Sequence, residues 1–304
     1  MKLACYGEDF RVGLVRGDEI VDASEAIGDL ALLAPEDRML AVIERFDILR
    51  PRLEQAVGSG AGTPLSGVRL RAPIPRPRKV MCCFGNYKEF TERARAAQDM
   101  FLQSPESIAG LGDTVTLPPH KAQVYQHEAE LVIVIGKRAS HLNAAAAHDV
   151  IFGFSCGCDV SGRGLGKVGQ NGRMGKAFPG FKPLGPWIVT RDEIPDPHEL
   201  EIRLSVSGEP RQVYTTDDME YRVPEVVAFA SGYTTLLPGD VIYCGTNHQG
   251  LGPVQDGDHV VMEIGRIGRL EFHVEDPLKR TWAREIDPVM AARAREAFSN
   301  SPKP

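Results

Sequence analysis

The stretch Tyr125-Gln-His-Glu-Ala-Glu-Leu-Val-Ile-Val-Ile-Gly136 decides how this chain is read. It begins a hydrophobic, strand-like run, yet two of its positions are carboxylates. Side chains alternate faces along a strand, so Glu128 and Glu130 point the same way, about 7 Å apart along the backbone. Two carboxylates so placed repel unless positive charge lies between them. A hard divalent cation resolves that conflict, because Mg²⁺ takes oxygen ligands and keeps positions open for water and substrate. Standing alone, the same motif reads as an edge strand with a solvated acidic face.

The neighbouring motifs decide between these readings. Downstream lies Phe152-Gly-Phe-Ser-Cys-Gly-Cys-Asp-Val-Ser-Gly-Arg163, an apolar, small-residue segment ending on Asp159, with Arg163 four positions later. Asp159, at the end of a buried strand, would complete a three-oxygen set. Gly175-Lys176, Lys182-Pro-Leu-Gly-Pro-Trp187, Thr216-Asp-Asp-Met219 and Leu237-Pro-Gly-Asp-Val-Ile-Tyr-Cys-Gly-Thr246 follow in order. This ordered set resembles the fumarylacetoacetate hydrolase family over roughly residues 68 to 275. Each piece is weak alone; the order is specific.

Composition leaves room for this reading. The 304 residues suffice for one large domain plus a small one, and 42% hydrophobic with 25% charged residues is ordinary for a globular protein. A net charge of −6 argues against a nucleic-acid partner, which favours a basic stripe. No apolar run approaches the length of a membrane span, and the N-terminus lacks a signal-peptide core, so a cytoplasmic location is expected. The six cysteines sit mostly inside apolar runs and read as buried thiols rather than disulfides or a zinc site.

Along the chain, residues 1–66 read as a small N-terminal α+β domain, 67–283 as the metal-binding catalytic domain, and 284–304 as an exposed C-terminal helix and frayed tail. Gly17-Asp18 suits a hairpin turn, and Met39, Val42, Ile43, Phe46 and Leu49 recur at helical spacing. Gly58 to Pro64 is expected to be a flexible linker. Strands are expected at 80–84, 130–135, 151–158, 187–190, 201–207, 241–244, 260–264 and 270–274, and helices at 88–98, 223–232 and 288–298, with a short turn after Ala144. Many strands without regular helical alternation argue against a doubly wound sheet. The expected class is mixed and β-dominated. The resemblance implies a stacked mixed-sheet β roll or sandwich behind that small domain, assembled as a homodimer.

The resemblance also implies roles. Glu128, Glu130 and Asp159 would hold Mg²⁺ or Mn²⁺, on which a small anionic 2-oxo acid or 1,3-dicarbonyl compound chelates. Lys176 matches the family's active-site lysine and would hold a carboxylate or a developing enolate. Arg163 would bind a substrate carboxylate or orient Asp159, and Thr246 would offer donors to a substrate carboxylate. For each cation the plain alternative is a solvated surface charge. Thr216 to Met219 reads as an ordered turn that walls the site.

The departures matter equally. Many hydrolytic relatives carry Asn-Tyr-x-x-His-x-x-Glu, whose His and Glu activate water. Here the segment is Asn86-Tyr-Lys-Glu-Phe-Thr-Glu-Arg93, so Phe90 replaces the His and Arg93 the Glu. Phenylalanine accepts no proton. Glu89 and Glu92 lie nearby, but on a helix they face other directions from Phe90. The family's usual Gln becomes Gly166, and its Gly-Thr-Pro turn becomes Gly245-Thr-Asn-His-Gln-Gly250, which introduces His248. On that loop, expected to border the metal, an imidazole would replace the missing base or recognise a substrate oxygen; a solvated loop histidine is the alternative. His120 and His127 are weaker candidates, with His127 pointing away from Glu128 into packing.

The expected activity is metal-dependent hydrolytic cleavage of a carbon–carbon bond in an acylpyruvate-like substrate during catabolism. Two alternatives stay open: an isomerase or tautomerase, decarboxylase or dehydratase working through an enolate without water, and a metal- and ligand-binding relative without turnover.

Overall fold

The computed structural model describes residues 1–92, 94–165 and 173–299. One large sheet runs through it in the order Gly62–Pro64, Glu19–Asp22, Arg11–Arg16, Lys2–Tyr6, Lys182–Thr190, Ile151–Cys158, Ala129–Ile135, Val241–Tyr243, Val80–Phe84 and Asp99–Gln103. Neighbours along this path are antiparallel except Val241–Tyr243, which lies parallel to Val80–Phe84. A second sheet orders Glu209–Thr215, Glu201–Val206, His259–Ile264, Gly268–Glu275 and Thr114–Thr116.

The strand Ala129–Ile135 is buried along its whole length. Leu131, Ile133 and Ile135 enter a core shared with Ile202, Leu204, Met262, Leu270 and Phe272 of the second sheet. Val132 and Val134 face the opposite way, into a core with Leu3, Val12, Leu14, Met39, Val42, Ile43 and Leu53. Apolar residues on both faces explain the unbroken Leu-Val-Ile-Val-Ile run, since a strand covered on both sides needs no polar alternation. The β-dominated, stacked-sheet expectation holds.

Most expected strands form, and Gly17-Asp18 turns the N-terminal hairpin between Arg11–Arg16 and Glu19–Asp22. That hairpin continues the main sheet, because Lys2 and Leu3 pair with Val189 and Ile188. The apolar stripe spans two helices, Pro35–Glu44 and Phe46–Ser59, interrupted at Arg45. The six cysteines are free and buried. Among the described residues no helix is long and apolar enough to cross a membrane.

Three local expectations are corrected. The linker expected from Gly58 to Pro64 is instead the end of the helix Phe46–Ser59 followed by the strand Gly62–Pro64, paired with Glu19–Asp22. The helix expected over 88–98 does not form. Glu89 and Phe90 take φ of 60° and 57°, the left-handed region, which a right-handed helix excludes. Asn86 clasps that segment instead, donating from Nδ2 to Cys244 O at 3.0 Å and accepting the Tyr221 amide at 2.9 Å. The C-terminal helix Pro288–Ser299 forms but is not simply exposed, because Ala291 and Ala294 are buried.

Candidate active site

The antiparallel register of Ala129–Ile135 with Ile151–Cys158 sets Ala129 opposite Cys158 and Glu130 opposite Gly157. Immediately beyond these strands, the Asp159 amide donates to Glu128 O at 2.8 Å, so the third acid follows from the register of the first two. Glycine at 157 is required by close approach: a Cβ there would meet Val132 Cγ2 at 2.4 Å and the Tyr243 ring at 2.5 Å. One carboxylate oxygen each from Glu128, Glu130 and Asp159 lies within 4.8 Å of the others, and all three residues are buried.

Three buried or half-buried cations surround this cluster. Lys176 Nζ donates to Glu128 Oε2 at 2.5 Å and to Asp159 Oδ2 at 2.9 Å. Lys182, with no exposed side-chain surface, donates to Asp159 Oδ1 at 2.6 Å and to Lys176 O at 2.6 Å. Arg163 grips Glu128 Oε1 and donates from Nε to Gln126 Oε1 at 2.9 Å. It thus orients Glu128, where sequence reasoning offered Asp159. Ser161 adds a hydroxyl donor to Glu128 at 3.2 Å.

The charges set the protonation states. Burial alone would raise Glu128, but the charges of Lys176 and Arg163 outweigh it and hold this carboxyl well below the usual range. Burial works against the ammonium of Lys176, yet Asp159 and Glu128 outweigh it and push its pKa up. Glu130 goes the other way. Burial, with repulsion from Asp159 and Glu128, raises it well above an ordinary carboxylate, although the Gly245 amide donates to its Oε2 at 2.6 Å. Of the three acids, Glu130 accepts no hydrogen bond from a lysine or arginine among the described residues.

A carboxylate pushed up in this way marks a place short of positive charge. The donor set is all oxygen and anionic, which suits a hard ion such as Mg²⁺ or Mn²⁺ rather than one that seeks sulfur or nitrogen. The residues present therefore fit a divalent cation.

The Gly245 amide that reaches Glu130 starts the loop carrying Thr246, Asn247 and His248. The Thr246 hydroxyl is buried, accepting from Gln212 Nε2 at 2.8 Å and lying 3.2 Å from the Tyr214 hydroxyl. Gln212 Oε1 in turn lies 3.0 Å from His127 Nδ1, and His127 is fully buried in packing, as the alternation of faces requires. His248 follows three residues after Gly245, whose amide bonds Glu130, so the same loop carries it. Its Nδ1 lies 2.6 Å from Glu89 Oε1.

Glu89 and Lys182 escape sequence reasoning. A helix over 88–98 would turn Glu89 away from the position of Phe90, so the sequence alone hides its role. The signal for Lys182 is a lysine heading the apolar run Pro-Leu-Gly-Pro-Trp-Ile-Val, where a buried charge needs a partner. Phe90 is 56% exposed. Arg93 and Gly166, the other departures from the family pattern, lie outside the described residues.

The family described as fumarylacetoacetate (FAA) hydrolase C-terminal matches residues 79–275. A maleylpyruvate hydrolase of Aquipseudomonas alcaligenes is 35% identical over 292 residues, covering 90% of this chain and 99% of its own. The mitochondrial oxaloacetate tautomerase FAHD2A of Homo sapiens is 38% identical over 218 residues, 67% of this chain and 69% of its own. Among solved structures, maleylpyruvate hydrolase from Sphingobium sp. SYK-6, in complex with manganese(II) and pyruvate, superposes with a TM-score of 0.80 at 34% identity, covering 91% of this chain and 99% of that one.

Proposed function

Because this chain belongs to the fumarylacetoacetate hydrolase family, we propose that it is a divalent-metal-dependent hydrolase cleaving a carbon–carbon bond in a small, anionic acylpyruvate-like keto acid. The observation that carries this reading is the buried Glu128, Glu130 and Asp159 cluster, held by two lysines and touched through the Gly245 amide by the loop that carries His248. Maleylpyruvate hydrolases match about nine tenths of this chain at 34–35% identity, above the 30–31% of the isomerases that match as much of it, which supports hydrolysis.

Glu128, Glu130 and Asp159 would hold Mg²⁺ or Mn²⁺, which polarises a 2-oxo carbonyl and stabilises negative charge on its oxygen. Lys176 and Arg163 supply positive charge beside that oxygen and beside the substrate carboxylate. His248 takes a proton from water as the water oxygen attacks the acyl carbonyl. The carbon–carbon bond then breaks, its electron pair leaving as an enolate that a proton returns to the keto acid. One carboxylic acid and one 2-oxo acid result. Thr246 shapes the loop through its hydroxyl, held by Gln212 and Tyr214. In this reading the protein is a cytoplasmic homodimer working in catabolism.

The test is to supply purified protein and Mn²⁺ with acylpyruvates and oxaloacetate and to analyse products. Pyruvate plus a second acid supports hydrolysis; a shifted keto–enol equilibrium without cleavage supports tautomerisation; no change in either substrate overturns both. His248→Ala is expected to lower turnover while sparing metal affinity.

A further inference from the structure

The segment that would carry the base in many relatives does something else here. Glu89 has no exposed side-chain surface, yet no lysine or arginine side chain among the described residues bonds its carboxylate. Its partners all come from one loop. Oε2 accepts the His248 amide at 2.9 Å and Gln249 Nε2 at 2.9 Å, while Oε1 faces His248 Nδ1 at 2.6 Å. A carboxylate only accepts, so Nδ1 is the nitrogen that carries the proton in this contact, and Nε2 is the one left to take a proton from water.

The backbone is shaped to make this contact. Two consecutive residues other than glycine, Glu89 and Phe90, sit in the left-handed region, a conformation that costs of order 1 kcal/mol each and persists only where the surroundings impose it. The surroundings here are specific. Asp218 Oδ1 accepts the Phe90 amide at 3.2 Å, and its Oδ2 accepts Asn247 Nδ2 at 2.7 Å, tying the turn to the histidine loop. From outside, the C-terminal helix holds both partners: Arg295 Nε reaches Glu89 O at 3.4 Å, and Ala291 O accepts Gln249 Nε2 at 3.4 Å. That helix lies beyond the residues that the family shares.

We propose that Glu89 is the positioning residue of the reaction's base, fixing the His248 ring so that Nε2 is presented as the proton acceptor. The proposal rests on the hydrolase reading, but its geometry does not. Glu89 acts only through His248, so its loss should lower kcat while leaving KM and metal affinity alone.

The experiment compares wild type, Glu89→Gln and Glu89→Leu in holoprotein loaded with Mg²⁺. Glutamine keeps one oxygen acceptor for Nδ1–H; leucine keeps none. Glu89→Leu is expected to lose roughly a hundredfold in kcat, the scale of a general base's contribution, with KM and Mg²⁺ affinity within twofold of wild type. Glu89→Gln should retain most activity. Nitrogen-15 spectra of the imidazole separate positioning from mere folding: wild type should show Nδ1 protonated and Nε2 bare, and Glu89→Leu should shift toward the Nε2-protonated tautomer. A wild-type ring protonated at Nε2, or a leucine variant with unchanged tautomer or unchanged kcat, overturns the proposal. If Glu89→Leu does not fold, the wild-type and Glu89→Gln spectra still decide it. If wild type cleaves no acylpyruvate, the hydrolase reading falls, and the tautomer spectra alone decide the geometry.

Discussion

Lys182 places its ammonium 2.6 Å from Oδ1 of Asp159, with neither side chain more than 2% exposed. A buried pair of this kind stabilises little relative to apolar packing, but breaking it leaves a charge stranded. Lys182→Met is therefore expected to destabilise the metal-free protein by about 3–5 kcal/mol in urea unfolding. Excess Mn²⁺ should recover part of the loss by supplying positive charge beside Asp159. A loss below about 1 kcal/mol would show that the pair is solvated.

Metal uptake should be coupled to proton release. Burial and the neighbouring acids raise Glu130 well above the ordinary carboxylate range, and a protonated acid must lose its proton to become a ligand. Apparent Mn²⁺ affinity should therefore rise with pH, at values above those where an ordinary carboxylate has already ionised. The calorimetric heat of binding should depend on the buffer's ionisation enthalpy. Glu130→Gln should weaken binding and remove that buffer dependence, whereas Glu128→Ala should abolish binding.

Arg163 bridges Gln126 and Glu128 through two different nitrogens, a geometry that lysine's single ammonium does not reproduce. Arg163→Lys should leave the fold intact and cost about ten- to a hundredfold in Mn²⁺ affinity, the usual effect of losing a partner that orients a ligand. Equal affinity in both proteins would place Arg163 outside the metal site.

His127 gives a pH test of the fold. Burial lowers its pKa to about 4 from 6.5, against the opposing Gln212 bond. The unfolded chain then binds the proton more readily between those values, so this contribution to stability is present above about 6.5 and lost as pH falls toward 4. At 1.36 kcal/mol per unit the full change is on the order of 3 kcal/mol. Urea unfolding of wild type and His127→Gln at pH 7.5 and 5 isolates it, since Glu130 titrates in both proteins and drops out of the difference. An identical pH dependence in the two would show that the imidazole is not held neutral.

The parts of the site readable in the sequence are those set by short periods. Glu128 and Glu130 share a face because strands repeat every two residues, and Asp159 follows where the apolar run stops. Glu89 was not readable: the segment after Asn86 carries helix-compatible residues, and only contacts with Asp218, Tyr221 and Cys244, all distant in sequence, force it left-handed. No local pattern announces a partner 159 positions away, which is the separation of Glu89 and His248. The strand Gly62–Pro64 was missed for a related reason. Its glycine and proline signal a turn, and only an available edge beside Glu19–Asp22 makes it pair. His248 was found because a departure from a motif is itself local.

Val241–Tyr243 lies parallel to Val80–Phe84, so one strand seats the turn bearing Glu89 and the other delivers the loop bearing His248. Parallel neighbours so remote along the polypeptide can meet only after nearly everything between them has been synthesised. A ribosome-bound fragment stopping short of residue 248 lacks the imidazole and also the strands His259–Ile264 and Gly268–Glu275, whose apolar side chains back Leu131, Ile133 and Ile135. The acidic cradle and its base are therefore completed together, late in translation.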